Sequence, residues 1–395
     1  MKNITDINLE SKRVLIRVDF NIPIENGIIQ SDFRIRAVKE TIEYCLENNC
    51  SIVLMSHLGR PDGVDVNYSL KPLVKYLKNL FNVNIYFSND CISDESINIS
   101  MNMKNKEIHL LENLRFYKEE VENDEVFSYR LSSHADIYIN DAFGTSHRQH
   151  ASNSLILKYF NIKAIGFLMQ KEFDYLKNIF KDDSKPLIIV GGAKISTKIN
   201  MIKKFITNSS NILIGGGMAF TFLKAKGINI GSSLVEDSMI DTAKEILDLA
   251  SQNQVSIILP VDVVCGTDFS SNTDIDICSI DNINDNYMGL DIGPETTMIF
   301  EMLIGEASSV IWNGPVGAFE LSPFSTGTHA IAHCISQKTV NEGLISIIGG
   351  GDTANAIMQC ELENTYSHVS TGGGASLELL SGKELKIFKS WRDYE

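Results

Sequence analysis

Two lysines follow a glycine pair in the stretch PLIIVGGAKISTK, residues 186–198. An apolar run ends in Gly191 and Gly192, and Lys194 and Lys198 come shortly after. Glycines let backbone N–H groups approach a phosphate closely, and a helix starting there adds the positive end of its dipole. If a helix starts after Gly192, lysines four residues apart lie on one face and reach one phosphate chain. A solvated pair on a surface helix is the alternative for lysines at this spacing.

Glycine clusters recur in the second half of the chain. Three directly follow apolar runs and the fourth follows the short run HVS; they lie at 191–192, 215–217, 349–351 and 372–374. A tight turn after a strand explains any single cluster. Because ligands of open α/β sheets bind past the carboxyl ends of strands, four clusters there predict a polyphosphate nucleotide site. Neither G-x-x-x-x-G-K-[ST] nor G-x-G-x-x-G occurs, which argues against P-loop and dinucleotide-binding folds.

Acidic residues near these glycines are candidates for a cation and a ribose. A carboxylate beside phosphate-binding amides is repulsive unless it holds a cation, so Asp352 in GGGDTANAI is a candidate for Mg²⁺. Thr353 is a candidate hydroxyl donor to phosphate, although either residue serves equally well as a helix N-terminal cap. Glu320, in NGPVGAFE, is a candidate for the ribose hydroxyls or an ordinary solvated side chain.

The arginines lie almost entirely in the first part of the chain. They are Arg13, Arg17, Arg34, Arg36, Arg60, Arg115, Arg130, Arg148 and Arg392. The rigid donor fork of arginine suits bidentate contacts with carboxylate and phosphate, whereas lysine acts on phosphate as a point charge. We therefore expect the two halves to bind anions differently, with codon bias or chance as the alternative explanation.

Cationic side chains of the first half are candidates to converge on a small dianion or trianion. They are Arg34, Arg60, Arg115, Arg148, His57 and His147. The alternative is simple ion pairing, with Arg17, Arg34 and Arg36 bound to Asp19, Asp32 and Glu40. No H-R-D catalytic loop, G-x-S-x-G elbow or H-E-x-x-H occurs, and a nucleophile that is already anionic requires no general base.

Both halves alternate short apolar runs with amphipathic stretches, which predicts an α/β fold of two doubly wound parallel sheets. Apolar residues within 167–180 recur at helical spacing and predict a connecting helix, with a domain boundary near residue 170. The tail is predicted to be helical from STGGGASLELL to about Lys386. The polar segments CISDESINISMNMKNK and DFSSNTDIDICSIDNINDN indicate surface loops.

Length and composition are typical of a globular protein of two domains. The chain has 395 residues, of which 44% are hydrophobic and 22% are charged. No signal-peptide pattern and no apolar run of roughly 20 residues occurs, so we expect a cytoplasmic protein with no membrane partner. Seven cysteines without a C-x-x-C pair argue against a disulfide framework or a zinc site. A formal charge of -15 argues against nucleic acid as a partner.

The motifs, in their order, resemble those of the phosphoglycerate kinase family through nearly the whole chain. The segments are RVDFNIP, SHLGRP, LLENLRF, NDAFGTSHRQHAS, GGAKISTKI, LIGGGMAF, LPVDVV, GLDIGPET, WNGPVGAFE, GGGDTA and STGGGASLELL. The chain departs at GKELKIFKSWRDYE, where the family usually continues GKELPG. The resemblance implies a bilobal monomer with an N-terminal lobe of residues 1–170, to which 376–395 return, and a C-terminal lobe of residues 171–375.

The resemblance also implies site residues. For 3-phosphoglycerate or 1,3-bisphosphoglycerate they are Asp19, Asn21, Arg34, His57, Leu58, Gly59, Arg60, Arg115 and Arg148. For Mg·ADP or Mg·ATP they are Lys198, Gly289, Glu320, Gly350, Gly351, Asp352 and Thr353, with Asp352 on the metal. Stabilisation of the transferring phosphoryl group is implied for Arg34, Lys194 and the amides of Gly350 and Gly351.

The implied reaction is reversible in-line phosphoryl transfer between 1,3-bisphosphoglycerate and ADP, a step of glycolysis that forms ATP and 3-phosphoglycerate. A substrate carboxylate is the nucleophile in the reverse direction, so catalysis rests on positioning and charge stabilisation. We expect a hinge around the 167–180 helix and the return of the C-terminal segment, whose closure brings the lobes together and excludes water. A nucleotide-binding scaffold or regulator without transfer activity is the alternative, and the missing dinucleotide motif argues against a dehydrogenase.

Overall fold

Two sheets of six parallel strands organise the chain in a computed structural model that describes residues 1–180 and 185–394. The chain forms two units, Met1–Asp174 with Glu384–Glu395, and Tyr175–Lys383. These units divide at Asp174 and return at Glu384, and the predicted lobe limits are near residue 170 and at 376. The α/β fold of two parallel sheets predicted from the apolar runs is confirmed.

The first unit is built on a sheet whose central strands are buried on both faces. Its elements, together with the connecting helix, are β1 (Arg13–Val18), β2 (Ile24–Glu25), β3 (Ile28–Ile29), α1 (Phe33–Ala37), α2 (Lys39–Glu47), β4 (Ser51–Met55), α3 (Leu73–Phe81), β5 (Ile85–Phe87), α4 (Asp94–Asn102), β6 (Ile108–Leu110), α5 (Lys118–Glu122), α6 (Glu125–Ser132), β7 (Ile137–Asp141), β8 (Lys163–Ile165) and α7 (Phe167–Asn178). The strand order is β5-β6-β4-β1-β7-β8. Because helices cover both faces, β1, β4 and β7 are nearly continuous apolar runs. The chain crosses from one side of β1 to the other between β6 and β7, so a crevice forms past the carboxyl ends of the neighbouring strands β1 and β7.

The second unit has the strand order β11-β10-β9-β15-β16-β17. Its elements are β9 (Leu187–Val190), α8 (Ile199–Ile206), β10 (Asn211–Ile214), α9 (Met218–Ala225), α10 (Ile240–Gln252), β11 (Ser256–Ile258), β12 (Asp262–Gly266), β13 (Ile275–Ser279), β14 (Met288–Ile292), α11 (Pro294–Glu306), β15 (Ser309–Asn313), α12 (Thr326–Glu342), β16 (Ile345–Gly349), α13 (Gly351–Gln359), β17 (His368–Val369) and α14 (Gly374–Leu380). The sheet reverses its direction of growth between β9 and β15, which places the ligand crevice there. A separate antiparallel sheet has the order β13-β12-β14.

Two segments predicted to be surface loops contain regular structure. Helix α4 occupies the first, and the Ser93 hydroxyl caps its N-terminus by accepting a hydrogen bond from the Ser96 N–H at 3.2 Å. Strand β13 occupies the second and pairs antiparallel with β12. Both predictions were wrong because α4 buries serines rather than an apolar stripe, and β13 is largely exposed.

The prediction of one terminal helix was also wrong. Helix α14 ends at Leu380, and Gly382 then adopts a left-handed φ of 78°, which a side chain would disfavour. A separate helix, α15 (Lys386–Asp393), packs in the first unit, where the Phe388 ring lies 4.8 Å from that of Phe173. Among the described residues, no helix is long and apolar enough to cross a membrane.

Candidate functional site

The first unit holds its predicted cations beside the carboxyl end of β1. Asp19 follows that strand directly, and its Oδ2 accepts a hydrogen bond from Arg34 Nη1 at 3.1 Å. The same nitrogen donates to the Asn21 carbonyl at 2.9 Å. Asp19 Oδ1 lies 3.7 Å from His57 Nδ1. The alternative of ion pairing is therefore correct for Arg34, and the pair lies among the predicted site residues rather than apart from them.

The segment from His57 to Arg60 follows β4 and is held by its neighbours. Asn21 Oδ1 accepts a hydrogen bond from the Gly59 N–H at 2.8 Å, and Arg115 donates to the Gly59 carbonyl. The buried Leu58 donates its N–H to Asn113 Oδ1 at 3.1 Å. Asn21 and Arg115 therefore fix the loop that carries Arg60.

Three of the predicted arginines line a cleft of about 620 Å³ in this unit. They are Arg60, Arg115 and Arg148. Burial, and then the positive charge of Arg148 and Arg17, lower the pKa of Arg115 to about 10. Burial lowers the pKa of His57 well below its ordinary value, and the surrounding arginines lower it further. Mutual repulsion of this kind is relieved by an anionic ligand, so the cleft is suited to a small polyanion.

Sequence reasoning missed a buried network beneath these cations. Arg17, only 1% exposed, donates from Nε to Ser152 Oγ at 2.9 Å, and that hydroxyl donates to Glu120 Oε1 at 2.6 Å. Arg17 Nη2 also lies 3.2 Å from His57 Nδ1. Because a guanidinium only donates, His57 Nδ1 is the acceptor, and a neutral His57 carries its proton on Nε2. An arginine inside the apolar run RVLIRV was the available signal.

Two other candidates of the first half lie outside this network. Arg36 is exposed and pairs with Asp32 at 2.7 Å, as the ion-pairing alternative predicted. His147 accepts from the Nε of Arg148 at 3.1 Å through its own Nε2. His150, which sequence reasoning passed over, lines the cleft with Arg148.

In the second unit, the glycine loops are hydrogen-bonded together at the crevice between β9 and β15. The Gly191 N–H donates to the Asn313 carbonyl at 3.1 Å, and the Gly192 N–H donates to the Pro315 carbonyl at 2.8 Å. Beside them lies a cavity of about 750 Å³, lined by Gly192, Ala193, Gly216, Gly217, Ser232, Leu234, Phe269, Met288, Gly289, Leu290, Pro315, Gly317, Ala318, Phe319, Glu320 and Asp352. Predicted residues from three separate segments thus line one cavity with an apolar wall.

The prediction that Lys194 and Lys198 share a helical face was wrong. Lys194 is exposed and extended, a 3₁₀ turn covers Ile195–Thr197, and α8 begins only after Lys198. Lys198 Nζ instead donates to the carbonyls of Gly191 at 2.6 Å and Asn313 at 2.8 Å. Burial lowers the pKa of Lys198 to about 8, with the Asp352 carboxylate acting in the opposite direction. The two lysines therefore occupy different environments.

Helix α13 begins at Gly351, with Gly350 as its N-terminal cap. The alternative that Asp352 or Thr353 caps this helix is therefore wrong. The buried Thr353 hydroxyl accepts from the Gly314 N–H at 2.7 Å and donates to the Gly349 carbonyl at 2.8 Å. The Thr353 hydroxyl proton therefore already has an acceptor within the protein. The first N–H groups of α13, by contrast, lack acceptors within the helix.

Asn313, at the end of β15, is a polar residue that sequence reasoning missed. Its Nδ2 is buried and has no hydrogen-bond partner in the described part of the chain. The amide lies 2.9 Å from the position that a Cβ on Gly349 would take, which places it under the loop before α13. Because buried donors are normally paired, this amide suits an anionic ligand atom. The signal was an asparagine directly after the apolar run SSVIW.

Comparisons with known proteins agree with this geometry. Residues 4–383 match the family model described as Phosphoglycerate kinase. The chain belongs to the phosphoglycerate kinase family. The phosphoglycerate kinase of Hydrogenobaculum sp. (strain Y04AAS1) is 46% identical over 386 residues, 97% of each chain. That of Aquifex aeolicus (strain VF5) is 43% identical over 396 residues, covering 100% of this chain and 99% of the relative.

A solved structure gives the same result for the fold. The phosphoglycerate kinase of Coxiella burnetii matches with a TM-score of 0.86 and 35% identity, over 99% of this chain and 98% of that one. Membership of the phosphoglycerate kinase family makes this chain an ATP-binding kinase of glycolysis. The resemblance inferred from the motifs is confirmed, and the alternative of a scaffold without transfer activity is not favoured.

Phosphoglycerate kinases use a magnesium nucleotide, and the second unit fits one. Asp352 is exposed at the start of α13 and lines the cavity. Within residues 1–180 and 185–394, no group of three or more His, Cys, Asp or Glu side chains is placed to hold a metal. Mg²⁺ is commonly bound by one or two carboxylates together with substrate phosphates and water. A single carboxylate beside the glycine loops therefore suits a cation that arrives with the nucleotide.

Proposed function

We propose that the first unit binds 3-phosphoglycerate or 1,3-bisphosphoglycerate, that the second binds Mg·ADP or Mg·ATP, and that phosphoryl transfer between them is direct. The observation that carries this division is the separation of cation types. Four predicted site arginines lie in Met1–Asp174, whereas Tyr175–Lys383 contain no arginine and supply glycine loops with lysines. A small trianion of fixed shape suits rigid guanidinium forks, and a polyphosphate chain suits backbone amides.

In the triose site, side chains bind and orient the substrate. Arg60, Arg115 and Arg148 face one cleft and bind the stable phosphate. His57, neutral and protonated on Nε2, donates to an oxygen of the substrate. Asp19 and Asn21 fix Arg34 and the loop at Gly59, and both are proposed to hold the triose itself. Leu58 and Gly59 contribute backbone groups.

In the nucleotide site, the backbone supplies most of the contacts. Gly350, Gly351 and Thr353 offer the N–H groups at the start of α13, and Lys198 adds a charge beside Gly191. Gly289 lies on the cavity wall, and Glu320 is proposed to accept hydrogen bonds from the ribose. Asp352 is proposed to hold the Mg²⁺, which when bound neutralises negative charge on the phosphates.

The chemistry is one in-line displacement. In the direction of ATP synthesis, a terminal oxygen of ADP bonds to the acyl phosphorus, and the bond from phosphorus to the carboxyl oxygen breaks. The electron pair leaves with the 3-phosphoglycerate carboxylate, so no proton is transferred and no general base is needed. Arg34 and Lys194 stabilise the charge on the equatorial oxygens together with the amides of Gly350 and Gly351.

Transfer requires the two ligands to meet, so we propose a hinge closure that excludes water. Helix α7 begins in the first unit and ends in the second, which makes it the candidate hinge element. The proposed lobes are Met1–Asp174 with Glu384–Glu395, and Tyr175–Lys383. A monomeric state and a cytoplasmic location stay predictions.

A coupled assay of 1,3-bisphosphoglycerate formation from 3-phosphoglycerate and Mg·ATP tests the proposal. We expect turnover by the wild type and a fall in kcat of about 10²-fold or more for Lys194→Ala and for Arg34→Ala. Arg36→Ala is the matched control, because Arg36 pairs with Asp32 on the exposed surface. Unchanged turnover in both site variants would remove the assigned roles of Arg34 and Lys194.

A further inference from the structure

The Glu236 carboxylate, which lies outside the glycine loops, holds the lysine segment, residues 194–198, which contains both site lysines. Glu236 Oε2 accepts a hydrogen bond from the Ser196 N–H at 3.0 Å, and Oε1 accepts from Ser196 Oγ at 2.5 Å. The Ile195 N–H also donates to this carboxylate. Both oxygens of this carboxylate thus accept hydrogen bonds from the 3₁₀ turn between Lys194 and Lys198.

Glu236 is itself fixed to the interior of the second unit. Its N–H donates at 3.1 Å to the hydroxyl of Thr221, a residue of α9 that is 1% exposed. Its carbonyl accepts from the Met239 N–H at 2.8 Å, at the turn that leads into α10. The carboxylate therefore joins the lysine segment to two helices of the core.

The lysine segment has little regular structure of its own. Lys194 has extended backbone angles, φ -130° and ψ 129°, and α8 starts only at Ile199. The direction of the Lys194 side chain is therefore set by whatever holds the backbone at Ile195 and Ser196. Burial raises the pKa of Glu236, but hydrogen bonds from Ser196 and Ile195, and then the Lys194 charge, lower it below its ordinary value.

We propose that Glu236 is a positioning residue for phosphoryl transfer, acting through Lys194. This inference rests on the proposed role of Lys194 at the transferring phosphoryl group. Transition-state stabilisation requires the charge to be within a fraction of an ångström of its place, so loosening the segment lowers kcat. Substrate affinity is affected less, because Lys198 is held separately by the carbonyls of Gly191 and Asn313.

The first test compares Glu236→Gln with Asp237→Asn. Asp237 is the adjacent carboxylate, but it pairs with the exposed Lys224 at 2.9 Å and not with the lysine segment. We expect Glu236→Gln to lower kcat about tenfold with KM for both substrates within about twofold, and Asp237→Asn to resemble the wild type. Ser196→Ala removes the 2.5 Å contact while leaving Glu236 in place, so we expect a smaller fall in kcat. Equal kcat values for all four proteins would contradict the proposal.

The second test is a double-mutant cycle with Lys194→Ala. If Glu236 acts through Lys194, Glu236→Gln lowers kcat by less than about twofold in the Lys194→Ala background. The same tenfold loss in both backgrounds would show a general structural effect and overturn the inference. A large loss in Lys194→Ala without any loss in Glu236→Gln would overturn this inference alone. Full turnover in Lys194→Ala would overturn both the inference and the proposed role of Lys194.

Discussion

The two units are suited to anions by different means. The first concentrates guanidinium groups from four separate segments around His57, and burial lowers the pKa of Arg115 to about 10. The second has no arginine between Tyr175 and Lys383 and presents glycine loops at the ends of parallel strands. Both crevices lie at corresponding places in the sheets, so the fold determines where a ligand binds and the local residues determine which one.

The two ways of binding an anion have different structural requirements. Collecting cations requires buried counter-groups, and Asp19 and Glu120 supply them beneath the first site. Using backbone amides requires loops without side chains, held in place by groups such as Lys198 and Thr353. Charge is therefore fixed by side-chain networks in the first unit and by close backbone packing in the second.

Replacing lysine by arginine in the second unit, or arginine by lysine in the first, is expected to have the largest effect on kcat/KM. In Lys198→Arg, a planar guanidinium replaces an ammonium that fits between the carbonyls of Gly191 and Asn313. We expect kcat/KM for Mg·ATP to fall about 10²-fold or more, whereas Arg148→Lys lowers kcat/KM for 3-phosphoglycerate about tenfold. Steady-state kinetics with each substrate varied in turn measure both. Near wild-type values for Lys198→Arg would show that the shape of the cation is unimportant there.

Adding a side chain where two glycine loops pack closely together is expected to destabilise the second unit. Gly314 has a φ of 99°, and an added Cβ would overlap the Gly191 carbonyl and Lys198 Nζ. We expect Gly314→Ala to lower the free energy of unfolding by about 3 kcal/mol. Urea unfolding followed by Trp312 fluorescence in a Trp391→Phe background measures this. Gly305→Ala, in helix α11, is the control, because an added Cβ would meet only Lys338 Cε at 3.9 Å, and it is expected to stabilise by about 0.5 kcal/mol.

Acid is expected to destabilise the first unit through two buried histidines. Ser100 Oγ lies 2.8 Å from His109 Nδ1 and 2.6 Å from His134 Nδ1, and burial lowers their pKa to about 3 and about 4. The folded state keeps both rings neutral, while the unfolded chain protonates them below about pH 6.5. Their contribution is therefore retained above pH 6.5 and is lost as the pH falls. We expect a loss of about 3 kcal/mol at pH 5.5.

This acid sensitivity is measured by urea unfolding at pH 7.5 and 5.5. Fluorescence of Trp391 reports on the first unit in a Trp312→Phe background, since each unit contains one tryptophan. The matched variant changes both histidines to glutamine, and its loss of stability with acid is expected to be smaller. Equal losses in the two proteins would assign the acid sensitivity to other groups.

Raising the pH is expected to weaken the binding of Mg·ADP about tenfold while leaving the binding of 3-phosphoglycerate nearly unchanged. Burial lowers the pKa of Lys198 to about 8, so its positive charge is lost as the pH rises above that value. Arg115, with a pKa of about 10, stays charged at pH 9. Between pH 7 and 9 we expect the affinity for Mg·ADP to fall about tenfold and that for 3-phosphoglycerate to change less than about twofold. Calorimetric titration measures both, and Lys198→Met is expected to abolish the pH dependence for Mg·ADP.

The parts of the fold that could be predicted are those with local signals. Apolar runs such as RVLIRV and PLIIV became central strands, and the helical spacing within 167–180 became helix α7. Candidate residues followed from what comes after each run, because parallel strands place those residues at one edge. Asp352 lines the predicted nucleotide cavity for this reason, whereas Gly289, within antiparallel strand β14, was implied only by the family resemblance.

The parts that could not be predicted depend on contacts distant in sequence. The turn between Lys194 and Lys198 is held by Glu236, which lies 40 residues from Ser196. Arg17 finds its partner in Ser152, 135 residues away, so its burial has no local signal beyond its apolar neighbours. Strand β13 is mostly exposed and forms because β12 offers an edge. Pairing of this kind leaves no periodicity in the sequence.

The discontinuous make-up of the first unit has a consequence for the order of folding during synthesis. Helix α15 contributes the buried Trp391, and the Ser390 and Ser154 hydroxyls lie 2.5 Å apart. A ribosome translates Met1–Asp174 first, yet the core of that unit stays incomplete until the α15 residues emerge. Tyr175–Lys383 are continuous and all emerge earlier. The unit that is translated second is therefore the first that can complete its fold, the reverse of the usual N-terminal-first order.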